Sequence, residues 1–216
     1  MSLNTKTLQE AVKQVKEQSK KKKFNQTMEL IINLRDIDMK KPEAKIQETI
    51  ELPHAPSKKA KVCVIATREL ALKAKKEGAE LVIGKAELES LATDKKRQKQ
   101  LANNYDIFIA EAPLMPLVGK TLGSILGPRG KMPKPVPPTA NIKAQIARWR
   151  KTVNVRLRGQ PVLQCAVGTE DMKDEEIAEN VMAVVRRVEG RLKRGLKNIT
   201  TIYLKTTMGS PVKIKL

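Results

Sequence analysis

The sequence predicts two domains of mixed class: an α+β domain formed from both chain ends, and a parallel α/β domain inserted into it. Three observations lead there. A length of 216 residues suits between one and two domains at a typical size of about 150 residues. Apolar residues alternate with polar ones near both ends, the mark of half-buried strands. Between them, short unbroken apolar runs alternate with helical stretches, the rhythm of a parallel sheet with helices on its faces.

The elements follow in order. Thr7–Ser19 places Leu8, Ala11, Val12 and Val15 at helical spacing, and the helix ends in an unbroken basic run, Lys20–Lys23. In Phe24–Leu34 the period changes to two. Met28, Leu30, Ile32 and Leu34 alternate with Thr27, Glu29, Ile31 and Asn33, which predicts a strand with one polar face. A polar stretch, Arg35–Lys45, leads to a second strand at Ile46–Leu52. Pro53-His54-Ala55-Pro56 then forms a stiff connector. Lys61–Thr67 reads as a strand buried on both faces, followed by a helix over Arg68–Glu77 that Gly78 stops. A strand at Leu81–Gly84, a long polar helix over Lys85–Asn104 and a third buried strand at Tyr105–Ala110 continue the rhythm. Pro113–Leu126 suggests two short helices. Gly127–Pro138, with five prolines and two glycines, suggests an irregular loop, and Ile142–Lys151 a last helix. This middle part predicts a three-layer (Rossmann-like) parallel α/β domain.

After it the alternating pattern returns, at Val153–Arg158 and Val162–Val167. Asp174 is placed to N-cap a helix from Glu175 to Leu192, with Ile177, Val181, Val184, Val185 and Val188 on its apolar stripe. Strands at Ile199–Lys205 and Val212–Leu216 close the chain. The expected boundaries put residues 1–55 and 157–216 in the first domain and 56–156 in the insert. The chain crosses between them twice, which makes a hinge plausible.

Composition narrows the function. Lys and Arg number 43 against 23 Asp and Glu, a net charge of +20. A polyanion is the expected partner, and nucleic acid the expected polyanion, because no segment reads as a membrane-lying helix or a lipidation site. Aromatics are only 2% of the chain, too few for recognition that rests mainly on base stacking. No apolar run approaches the roughly 18 residues of a membrane span, and Met1–Glu10 lacks a signal-peptide pattern, so a cytoplasmic protein is expected. Cys63 and Cys165 sit far apart in strand-like runs and read as reduced core cysteines.

Catalytic and cofactor motifs fail on inspection. His54 is the single histidine and has no ligand cluster around it, so no metal is expected. Gly119-Lys120-Thr121 ends like a phosphate-binding loop, but Leu114 stands where that loop needs glycine. No cofactor is expected. Arg129, Lys131 and Lys134 lie among prolines and offer a possible secondary RNA contact. Three basic runs, Lys20–Lys23, Lys95–Lys99 and Arg186–Lys197, lack balancing acidic blocks. The first and third belong to the two-ended domain, which could gather them on one side and neutralise phosphates. Thr206-Thr207-Met208-Gly209-Ser210 interrupts two strands with a glycine turn, two small hydroxyls able to meet a ribose 2′-OH, and an apolar methionine face.

Taken together, FNQTMEL at 24–30, ELPHAP at 51–56, GAELVIG at 78–84, YDIFIAE at 105–111, ILGPRGKMPKP at 125–135 and KTTMGSPVKI at 205–214 resemble the L-one family of large-subunit ribosomal proteins. The GPRGKMPKP form looks archaeal. The resemblance implies a two-domain, hinged protein of the mobile ribosomal stalk. Its first domain would bind large-subunit ribosomal RNA through Lys23, Phe24, Thr27 and Glu29 on one side and Thr206, Thr207, Met208, Gly209 and Ser210 on the other. Gln164 and Gly168 would complete the surface, with Gln164 departing from the histidine common in bacterial members. A carboxylate such as Glu29 can accept from a 2′-OH or a guanine amino group and so specify shape, while lysines attract. The resemblance further implies help in releasing deacylated exit-site tRNA, repression of the protein's own mRNA, contact with other large-subunit proteins, and a monomer when free. Two alternatives stand beside it: an RNA- or nucleotide-processing enzyme using the inserted domain, and a DNA-compacting basic protein.

Overall fold

Asn4 accepts the Lys6 N–H and starts the first helix, whose apolar stripe of Leu8, Ala11, Val12 and Val15 is buried. The computed structural model describes residues 4–20, 22–37, 46–57, 59–157 and 159–214. In chain order the elements are α1 (Thr5–Gln18), β1 (Thr27–Leu34), β2 (Gln47–Glu51), β3 (Val62–Ile65), α2 (Arg68–Lys76), β4 (Leu81–Ile83), α3 (Lys85–Leu91), α4 (Lys95–Asn104), β5 (Ile107–Glu111), α5 (Met115–Thr121), α6 (Gly123–Arg129) and β6 (Lys134–Val136). They continue with α7 (Ile142–Arg150), β7 (Thr152–Arg156), β8 (Val162–Thr169), α8 (Asp174–Glu189), β9 (Ile199–Thr206) and β10 (Val212–Ile214). Short 3-10 turns occupy Ala112–Leu114 and Gly195–Asn198.

The chain divides into two compact units: Met1–Lys58 with Lys151–Leu216, and Lys59–Arg150. The second crossing therefore comes earlier than 156/157. The reason is pairing: β7 lies antiparallel to β2, Gln47 opposite Arg156 and Glu51 opposite Thr152, so both legs belong to the split unit.

In the split unit, β1 is an inner strand of an antiparallel sheet ordered β10-β9-β1-β8. Its alternation puts Met28, Leu30, Ile32 and Leu34 on the buried face, which α1 and α8 cover. Lys16 near the end of α1 binds Asp174, the first residue of α8, at 2.6 Å, so the two helices run antiparallel. Asp174 is thus the first helical residue rather than the cap. The Glu176 carboxylate reaches back to the Lys173 N–H instead. The outer face carries half-exposed residues, among them Thr27, Glu29, Ile31, Thr201, Tyr203 and Lys205.

The inserted unit is a parallel sheet ordered β4-β3-β5-β6. All four residues of β3 are buried, Cys63 and Ile65 toward one helical layer and Val62 and Val64 toward the other. Two expectations fail here. The helix over 85–104 is broken, because Asp94 caps a fresh start by accepting from Lys96 N and Arg97 N. Buried Gln98 meanwhile donates to the Leu91 carbonyl that ends α3, at 2.6 Å. The expected irregular loop at 127–138 holds the end of α6 and all of β6. Gly130 makes the exit, with a left-handed φ of 71° that closes α6 and is costly for other residues. Lys21, 38–45, Arg158 and the last two residues of the chain, all within expected runs or strands, lie outside the described residues.

Candidate nucleic-acid interface

The Thr27 end of β1 is held by a polar network. Gln26, fully buried, places its side-chain NH2 2.9 Å from Ser19 Oγ and 3.2 Å from both the Lys20 carbonyl and Glu170 Oε2. Its Oε1 accepts the Met208 N–H at 3.0 Å, so one side chain ties the end of α1 and the start of β1 to the loop after β9. The Thr207 hydroxyl accepts the Thr27 N–H at 3.1 Å and donates to the Thr27 carbonyl at 3.3 Å, extending the β1–β9 ladder with a side chain. Gly209 N–H closes the turn on the Thr206 carbonyl at 3.1 Å. A Cβ on Gly209 would stand 2.3 Å from Thr206 Oγ1, so any side chain there collides. Thr206 is fully buried, and its hydroxyl meets Ser19 Oγ at 3.1 Å.

This fixed frame presents an exposed rim. Phe24 is 52% and Met208 65% exposed, unusual for large apolar side chains. Lys20, Lys22, Lys23 and Ser210 are exposed at the same end, with Thr27 and Thr207 half-buried between them. On the outer face Glu29 lies 4.0 Å from Lys205, its register partner, whose ammonium also donates to the Thr207 carbonyl at 3.3 Å. Gln164 sits opposite Ile31, about 13 Å further along the strand at roughly 3.3 Å per residue, and lines a polar cleft of about 360 Å³ with Asn154, Arg156 and Gln160.

Nine of the eleven residues expected at this surface thus have atoms at the rim or the outer face. Thr206 and Gly168 do not. Thr206 shares the inner face with Ile202 and Leu204, and its part is to seat Gly209. Gly168 is buried, and a Cβ there would lie 3.0 Å from Met172 Sδ and 3.3 Å from Ile177 Cγ1, so the packing leaves little room for a side chain. Gln26, Ser19 and Glu170 were missed. Their only signal is polarity beside a strand or helix end, which surface residues share.

The loop cations are also occupied. Lys131 donates to the Ala102 and Tyr105 carbonyls at 3.0 and 2.7 Å, satisfying the end of α4. Arg129 donates to Asn103 Oδ1 at 2.5 Å, and Lys134 lies 5.2 Å over the Trp149 ring. These three cations serve packing within the inserted unit. The Arg186–Lys197 run does not gather with Lys20, Lys22 and Lys23. It lies at the Leu34 end of β1, where Arg35 N–H donates to the Asn198 carbonyl.

Charge is tuned locally. Hydrogen bonds, first from Thr169 and then from Asn25 and Ser57, hold the Asp171 carboxyl at about 2. Burial pushes both cysteine thiols up to about 12, with Glu87 adding to the effect at Cys63, so neither is a nucleophile at neutral pH. No cluster able to hold a metal occurs among the described residues. His54 pairs with Glu179 at 2.7 Å, while its backbone is bound at both N–H and carbonyl by buried Asn180, at 2.9 and 3.0 Å. In the inserted unit a cavity of about 1000 Å³ lies at the carboxyl ends of the strands. There Thr67 spends its N–H and hydroxyl on Glu111, at 2.9 and 2.8 Å. No described helix is long and apolar enough to cross a membrane.

By its match to a known family and its named relatives, the chain stands among the structural proteins of the large ribosomal subunit rather than the enzymes. The sequence model of the Ribosomal protein L1p/L10e family matches residues 14–210, and the chain belongs to that family. It is 48% identical over 207 residues to the large ribosomal subunit protein uL1 of Methanothermobacter thermautotrophicus, covering 96% of this chain and 98% of that protein. Its identity to the protein of the same name from Pyrococcus abyssi is 45% over 216 residues, covering 100% and 98%. The counterpart from Thermofilum pendens is 47% identical over 210 residues, covering 96% and 92%.

Proposed function

We propose that the Thr27–Ser210 end of the split unit grips a folded element of large-subunit ribosomal RNA at the exit-site stalk. The observation that supports this most is the Gln26 network. It fixes the Met208 backbone while Phe24, Met208 and Ser210 stay exposed. A surface frozen in this way loses little entropy on binding and can read RNA shape and 2′-hydroxyls. Lys20, Lys22 and Lys23 attract the phosphates, while the Glu29–Lys205 pair sets polarity across the outer face. Ribosome location, contact with neighbouring large-subunit proteins, release of exit-site tRNA through a hinged inserted unit, and repression of the protein's own mRNA by an RNA of similar shape complete this reading. The free protein is read as a monomer.

The test is a salt titration of binding to a stalk RNA fragment and to an unrelated folded RNA. Non-specific phosphate contact weakens steeply and equally for both. A preference of roughly a thousandfold for the stalk fragment at physiological salt supports the reading. Equal affinities would reduce it to bulk charge.

A further inference from the structure

The basic run left over by the proposed interface marks a second surface. β1 runs eight residues from Thr27 to Leu34, about 25 Å at roughly 3.3 Å per residue. At the far end, Arg35 donates through Nε to the Lys197 carbonyl at 2.8 Å, and Arg194 N–H donates to Asn198 Oδ1 at 2.9 Å. The end of α8 and the following 3-10 turn are thereby clamped onto the sheet. Six cations lie between Arg186 and Lys197, joined by Arg35.

Local structure accounts for some of them. Arg187 and Arg191 share the Glu48 carboxylate at 3.1 and 2.6 Å, and Arg194 meets Asp36 at 3.2 Å. The helix dipole favours Arg186 and Arg187 in the last turn of α8. A surplus remains. One carboxylate cannot neutralise two guanidinium groups, and each fork has more N–H donors than Glu48 can accept. The side chains of Arg186 and Lys197 make no ion pair among the described residues and are exposed. Lys197 lies beyond the helix, where the dipole gives no reason for it.

We propose that this end is a second RNA contact, sequence-independent, which takes backbone phosphates of the same RNA that the Met208 end reads. It rests on that reading. Two features favour RNA over an acidic protein. Four of the six cations are arginines, whose planar forks match phosphate oxygens in pairs. The exposed large apolar side chains of the described residues are Phe24, Leu72, Met132 and Met208, and none lies at this end. A protein interface wants such an anchor at its centre, and a phosphate contact does not.

The experiment compares the full-length protein with the Arg186→Gln/Lys197→Gln double variant. Both residues are exposed and make no ion pair among the described residues, so circular dichroism should match and melting should fall by no more than the small helix-dipole contribution of Arg186. Each protein is titrated with salt on a stalk RNA fragment long enough to span the sheet and on one trimmed to the Met208 footprint. On the long fragment the slope of log affinity against log salt should fall by about 1–2, with roughly tenfold weaker binding at moderate salt. On the trimmed fragment nothing should change. An unchanged slope on the long fragment overturns the second contact. So does an equal loss on both fragments, which would mean a diffuse field. So does wild-type binding of a polyglutamate peptide that the variant loses while its RNA slopes stay intact. Failure of the primary reading is separate: it shows as wild-type indifference between stalk and unrelated RNA, whatever the slopes do.

Discussion

The two ends of β1 are built from opposite chemistry. At the Thr27 end, neutral polar groups are satisfied within the chain, and a phenylalanine, a methionine and small hydroxyls are exposed beside Lys20, Lys22 and Lys23. At the Leu34 end, two arginines share the Glu48 carboxylate, a third meets Asp36, and no large apolar side chain is exposed among the described residues. The first end has shape and a fixed backbone. The second has charge and flexible side chains. The contrast teaches that +20 is not one property of this protein: one cluster of cations flanks a fixed, partly apolar rim, and the other, about 25 Å away by the roughly 3.3 Å rise of eight strand residues, stands without one.

The sharpest way to break that contrast is Gly209→Ala. The new Cβ would press on Thr206 Oγ1, and overpacking of this kind costs about 1–3 kcal/mol. If the loop moves to relieve it, preference for stalk RNA falls on the order of 10–100-fold while the salt slope stays as in wild type. A lost slope with retained preference would reverse the assignment of the two ends. Met208→Ala comes next. Its side chain is largely exposed, so melting should not move, while stalk RNA affinity drops about tenfold if it is an interface anchor. Lys131→Ala is the matched opposite: affinity unchanged, but melting of the inserted unit lowered, because two carbonyls at the end of α4 lose their donor.

The smallest effect concerns pH. The Asp171 carboxyl titrates at about 2 in the fold against an ordinary 3.8, so its ionised form stabilises the fold. That contribution is whole above 3.8 and fades as pH falls toward 2. Asp171→Asn should flatten the fall in urea midpoint over this interval and leave stalk RNA binding at neutral pH alone.

Much of this architecture is legible in the sequence. The half-buried strands announce themselves because Met28, Leu30 and Ile32 alternate with Thr27, Glu29 and Ile31. The buried β3 does so by having no alternation at all. Strand β6 is hidden, since Lys134-Pro135-Val136 is three residues with a proline, held by a parallel partner that only the fold supplies. The break at Asp94 is a local capping signal, outweighed in the sequence pattern by the leucines either side of it. Thr206 follows the same rule: the alternation that buries Ile202 and Leu204 buries it too. Motif membership identified the loop but not which way each side chain turns. Gln26 was out of reach, because its partner Met208 lies 182 residues away.

The pairing of β2 with β7 has a consequence for how the protein is made. Leu52 N–H bonds the Lys151 carbonyl at 2.9 Å, so these strands form a hairpin whose turn is the whole of Lys59–Arg150. Such a long turn is tolerable, because closure entropy grows by only about 0.6 kcal/mol per doubling of length. The insert also reduces the cost by folding on its own terms: Arg150 reaches the carbonyls of Ala60 and Gly78 and holds its two ends together. Synthesis therefore delivers α1, β1 and β2 first, then a complete insert, and only afterwards the strands that flank β1. Both neighbours of that inner strand, β8 and β9, are encoded beyond residue 160. A nascent chain must carry both hydrogen-bonding edges of β1 unpaired through most of its elongation, the interval in which a holding chaperone would find them.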